Sequence, residues 1–60
     1  MSKRKDARWQ YAYYLAEAEG LEFKDYTFYE WQERLDEGER YLDENPHLIE
    51  PLAEKWNSEA

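Results

Sequence analysis

Glu44 and His47 come nearest, in type and spacing, to a piece of metal chemistry in this sequence. A Glu-x-x-His pair on one helical turn supplies part of the di-iron centre of helical bundles. Pro46 stands between the two and breaks the helix that the spacing needs, and no second copy of the pair exists. The run DENPH also lacks the glycine and the alternating oxygen ligands of a calcium loop. With no cysteine and a single histidine, neither a thiolate nucleophile nor a structural zinc can be assembled. Ser2 and Ser58 lie near the ends, and Thr27 is committed to a helix cap. Fifteen acids could offer the carboxylate pair of glycoside hydrolysis, but sixty residues leave no room for a substrate cleft beside a core. No glycine-rich phosphate loop is present. The expectation is a non-enzymatic chain with no metal, no cofactor and no small-molecule ligand.

What remains is recognition by rings and charges. The stretch WQYAYYLA places Trp9, Tyr11, Tyr13 and Tyr14 within two helical turns, more rings than one stripe can hold. Ala7, Tyr11, Tyr14, Leu15 and Ala18 line one side of such a helix, and Trp9, Ala12, Tyr13 and Ala16 another. Asp6, Gln10 and Glu17 mark its polar edge. Both apolar sides are buried within one chain if this helix lies in a groove between two others. Trp9 and Tyr13 still exceed what so small a core requires, and tryptophan and tyrosine are enriched at binding hot spots. They are therefore the expected contacts to another polypeptide. A second set of contacts is expected from Glu33, Asp36, Glu37, Asp43 and Glu44, which share one broad face of a later helix with Arg40 in its middle.

The elements that position these groups are helices. Asp6 to Glu19 contains no helix breaker, and Gly20 stands where a left-handed closing residue is wanted. Residues 1–5 are strongly basic, oppose the helix dipole and read as a frayed arm ahead of a single acidic domain, 6–60. LEFKDY reads as an extended connection that pins Leu21 and Phe23 to the core. In YTFYEW, Thr27 and Glu30 form a capping box while Tyr26 and Trp31 stand at the positions of a hydrophobic staple. The helix that follows carries a seam of Phe28, Trp31, Leu35 and Leu42, with Gly38 at the missing seam position. Glycine costs about 1 kcal/mol there relative to alanine, which suggests a large group packed against bare backbone. Glu30–Arg34 and Asp36–Arg40 are favourable neighbours one turn apart. Asn45 and Pro46 end this helix and start a short turn, and Pro51 predicts a restart or kink near Glu50. Leu48, Ile49, Leu52, Ala53 and Trp56 then form one stripe. The sequence thus predicts an all-α three-helix bundle with helices near 6–19, 28–44 and 51–58, and Trp31, Leu35, Leu42, Leu52 and Trp56 in its core.

Charge narrows the class of partner. Residues 1–8 carry a local net charge of +3 and residues 9–60 one of −10, giving −7 in all. An acidic body is repelled by nucleic acid and anionic membranes and attracted to basic surfaces. No apolar run approaches the ~20 residues of a membrane span, and MSKRK lacks the apolar stretch of a signal peptide, so a cytoplasmic location is expected. In size and charge balance the chain is similar to small acidic proteins of phages and mobile elements that disarm host enzymes, an analogy of class that no motif carries. The leading expectation is a protein-binding module that inhibits or modulates a basic, nucleic-acid-handling protein. The rivals are a homodimer joined by the first-helix rings, and a DNA mimic using the second-helix carboxylates.

Overall fold

A computed structural model describes residues 2–59. Three helices, α1 (Lys3–Glu19), α2 (Phe28–Glu44) and α3 (Ile49–Ser58), pack against each other, with 3-10 turns at Phe23–Asp25 and Pro46–Leu48. There is no strand among the described residues. The all-helical bundle read from the sequence is the fold observed.

Helix α1 is the centre of the arrangement, packing on α2 along one side and on α3 along another. This explains why its sequence shows no single apolar stripe. The buried residues of α1 are Asp6, Ala7, Gln10, Ala12 and Ala16, so its closest approaches are made by alanines and its rings wedge in at the flanks. Tyr14 and Ala18, assigned to an apolar side, are exposed. Conversely, Asp6 and Gln10 of the presumed polar edge are buried, because that edge faces α3. There Asn57 Nδ2 donates to Asp6 Oδ2 at 3.2 Å.

The core falls into two clusters. Ala12, Ala16, Tyr26, Trp31 and Leu35 form one, flanked by Trp9 and Tyr13. Ala7, Leu42 and Ala53 form the other, flanked by Leu48, Ile49 and Leu52. Leu52 and Trp56, expected in the core, are half-buried, because the short α3 caps α1 on one side only and buries Ala53 at the point of contact.

Between these clusters Gly38 sets the spacing of α1 and α2. A Cβ built there would lie 3.3 Å from Arg8 Cγ, from the Arg8 carbonyl oxygen and from Tyr11 Cδ1. The large group expected against the bare backbone is thus the Arg8 stem and the Tyr11 ring, and that ring stacks on Tyr41 at 4.7 Å between centroids.

The helix ends follow local chemistry. Gly20 adopts φ 73°, ψ 23°, and the Leu21 amide bonds the Ala16 carbonyl at 3.1 Å. At the start of α2, Glu30 N donates to Thr27 Oγ1 at 3.2 Å and Thr27 N donates to Glu30 Oε1 at 3.0 Å, the reciprocal capping box. Tyr26 meets Trp31 edge-on at 5.0 Å, completing the staple.

Four local expectations are corrected. The basic arm is no frayed segment where it is described: α1 begins at Lys3, with Ser2 as its N-cap. Lys3 pairs with Glu50, and Arg4 with Glu39 and Asp43, so carboxylates across the interface offset the unfavourable dipole. Met1 lies outside the described residues. The connection 21–27 contains a 3-10 turn and leaves Leu21 and Phe23 exposed, since Tyr26 of the same connection and Trp31 of α2 already fill the corner. Phe28 departs from its seam, being 77% exposed at the first helical position, where no preceding turn of α2 covers it. Finally, α3 begins at Ile49 rather than 51. Pro51 fits its first turn, where the missing amide would have had no partner within the helix.

Candidate protein-binding surface

Five rings meet where the three elements converge. Trp9 lies 5.8 Å from Trp31 of α2 and 6.2 Å from Trp56 of α3, measured between centroids. Tyr13 lies 5.3 Å from Trp31, 5.4 Å from Trp56 and 6.2 Å from Phe23. The side of α1 that the sequence left uncovered is therefore clasped by one tryptophan from each partner helix. Trp9 and Tyr13 are half-buried as a result. Their offset and tilted contacts are the geometries that ring quadrupoles favour.

The rings that do protrude lie elsewhere. Phe28 and Tyr29 are 77% and 79% exposed, with centroids 6.2 Å apart. They open the first turn of α2, where the capping box fixes the backbone and no preceding turn covers the side chains. Beside them Trp9, Phe23, Phe28, Trp31 and Leu35, with Gln32, line a groove of about 250 Å³ whose walls are nearly all apolar. Sequence reasoning missed Phe28 and Tyr29 as surface groups because Phe28 continues the 3–4 spacing of the seam. The available signal was its place directly after the N-cap Thr27.

Tyr29 leads onto the acidic face. Glu33, Asp36, Glu37, Asp43 and Glu44 are all exposed, on the side of α2 opposite Trp31, Leu35 and Leu42. They are not equivalent. Asp43 is held by Arg4, and Asp36 accepts from Gln32 Nε2 at 3.0 Å instead of pairing with Arg40. Glu33, Glu37 and Glu44 make no ion pair among the described residues. With Arg40 in its middle and Asp43 already neutralised, the face is a broken negative track. Glu44 ends α2 while His47 lies in the following 3-10 turn, so the two belong to different elements.

Arg34, read as a favourable neighbour of Glu30 one turn away, is the largest departure. It donates from Nη2 to Glu19 Oε1 at 2.6 Å, from Nε to Glu19 Oε2 at 3.2 Å and from Nη1 to the Glu30 carbonyl at 3.0 Å. Its guanidinium lies 4.3 Å over the centroid of Tyr26. The Glu30 carboxylate is occupied by the cap, which frees Arg34 to tie the end of α1 to α2. The guanidinium holds the Glu19 carboxyl below its ordinary pKa, and Glu19 raises that of Arg34. Burial pushes the pKa of the Tyr26 hydroxyl up, and that hydroxyl has no hydrogen-bond partner among the described residues.

Compared with known protein families, curated proteins and solved structures, the chain matches none. The surface must be interpreted from its own chemistry. No helix among the described residues is long and apolar enough to cross a membrane.

Proposed function

We propose that this chain is a protein-binding module that docks a basic partner on the first turn and outer face of α2. The observation that carries the reading is the adjacent pair Phe28 and Tyr29, both more than three-quarters exposed and bordered by an apolar groove. Exposed apolar patches rimmed by polar groups mark interaction sites. Phe28 and Tyr29 are the anchors, Trp9 is a wall of the groove, Tyr13 supports it from behind, and Glu33 and Glu37 are the rim. A net charge of −7 favours a basic partner over a second acidic copy. Inhibition or modulation of a nucleic-acid-handling protein is the role that such a charge suits, as in the phage and mobile-element proteins of similar balance. The whole chain exposes 4316 Å², so a standard interface of about 800 Å² per partner would occupy roughly a fifth of it.

The test compares the parent with Phe28→Ser/Tyr29→Ser and with Glu33→Lys/Glu37→Lys, by capture from the source cell and by mass in solution. The ring variant is expected to keep its melting temperature and lose the captured protein, and the charge variant to bind more weakly and with less salt dependence. A partner retained by both variants overturns the reading. A dimer of the parent that the ring variant abolishes, with no captured protein, replaces it with self-association.

A further inference from the structure

A second cavity, of about 300 Å³, opens between α1 and α3. Its lining is Gln10, Tyr13 and Glu17 from one face of α1, with Trp56 of α3 and Glu59 just after that helix. Gln10 is only 4% exposed, yet its amide finds no hydrogen-bond partner among the described residues. Gln10 is one of the residues that line the cavity. A primary amide at a cavity wall offers two N–H donors and one carbonyl acceptor to a group that enters. Two aromatic walls stand beside it, with Tyr13 and Trp56 5.4 Å apart and inclined by 34°. Glu17 and Glu59 supply carboxylates, and Glu59 is also paired with the half-exposed Lys55 at 2.8 Å.

We propose that this cavity binds a guanidinium group. A planar guanidinium stacks on aromatic faces, is weakly hydrated for a cation, and presents several N–H donors at fixed angles. Those donors match the Gln10 amide oxygen and the Glu17 carboxylate together, which the compact, strongly hydrated ammonium of lysine does less well. The chain already holds one guanidinium with the same parts. Arg34 lies over the Tyr26 ring and is bonded through two nitrogens to Glu19. The α1–α3 cavity offers ring, carboxylate and in addition an amide, on residues remote in sequence from that pair.

The proposal deepens the reading of a basic partner and rests on it only where the guanidinium is that of a polypeptide arginine. Amide spectra of the full chain are recorded during titration with agmatine, with an arginine-containing peptide and with the same peptide carrying lysine or citrulline. Agmatine and the arginine peptide are expected to shift the Gln10 side-chain amide and the Trp56 indole signals. The lysine peptide should bind at least about fivefold more weakly, and the neutral citrulline peptide should leave both signals in place. Tighter binding of the arginine peptide than of agmatine assigns a polypeptide source, and equal binding a free small guanidine. Glu17→Gln, at an exposed position, should weaken either ligand at least about fivefold. Gln10→Leu should melt at or above the parent temperature and abolish the shift of the Trp56 indole signal. Unmoved Gln10 and Trp56 signals, equal response to citrulline, or full binding by Glu17→Gln overturns the proposal. The α2 variants of the preceding test leave this cavity untouched, so the two readings fail separately.

Discussion

Arg34 reaches back across the interhelical corner to Glu19, the last residue of α1, through two nitrogens at 2.6 and 3.2 Å. The pair closes a loop of chain that contains Gly20, the 3-10 turn and the Thr27 cap, and it lies against the ring of Tyr26. Exposed ion pairs contribute little to stability, but a two-pronged Arg–carboxylate pair over a buried ring is the geometry in which such a pair counts.

Arg34→Ala should therefore cost about 1.5–3 kcal/mol, the range for hydrogen bonds to charged groups. Thr27→Ala should cost ~1 kcal/mol through loss of the cap. Chemical denaturation of the two variants checks the order. A cost for Arg34→Ala below that of Thr27→Ala would return Arg34 to the role of a solvated residue.

Acid should unfold the chain through two identified carboxylates. The Thr27 amide, accepted by Glu30, holds the Glu30 carboxyl below its ordinary value, and Arg34 does the same for Glu19. Both stay charged in the folded chain at pH values where the unfolded chain has begun to bind protons. Their contribution is complete above the ordinary glutamate value of about 4.3 and is lost as pH falls through the lower folded values. Melting temperatures from pH 7 to 3 should drop in that acid window, and less steeply in Arg34→Ala. An equal slope for parent and variant would exclude Glu19 as a source.

The two glycines should respond to alanine for different reasons. Gly38→Ala gains ~1 kcal/mol of helix propensity but sets a Cβ 3.3 Å from a backbone carbonyl and a ring. No net stabilisation is expected. Gly20→Ala meets no neighbour within 4 Å and should cost about 1–2 kcal/mol through its positive φ alone. A Gly38→Ala chain that melts several degrees higher would show that α1 and α2 separate freely.

Truncating rings should separate packing from recognition. Trp9→Ala/Tyr13→Ala removes the centre of the cluster formed with Trp31 and Trp56 and should abolish cooperative melting, as should Leu42→Ala at a fully buried site, at about 2–5 kcal/mol. Phe28→Ser/Tyr29→Ser should melt like the parent. Circular dichroism on heating distinguishes them, and a stable Trp9→Ala/Tyr13→Ala chain would restore those rings as contacts that packing does not need.

The sequence by itself determined what is local. The Thr27–Glu30 box, the Tyr26–Trp31 staple, the Gly20 closure and the Pro46 turn depend on residues within a few positions of each other, and all are present, although the Asn45 side chain donates to the Tyr41 carbonyl and does not cap the turn. The Trp31, Leu35 and Leu42 seam was legible because α2 buries a single stripe. Helix α1 was legible only in part: a groove between two other helices was one of its readings and is the packing observed, but which flank would be covered was not legible. Periodicity assumes one buried face, so it misread Gln10 as solvated and the flank carrying Trp9 and Tyr13 as spare. Which carboxylate each arginine takes was likewise decided only in three dimensions. Glu30 lies one turn from Arg34, but the cap claims its carboxylate, and Glu19, fifteen residues away, is brought within 2.6 Å by the packing of α1 on α2.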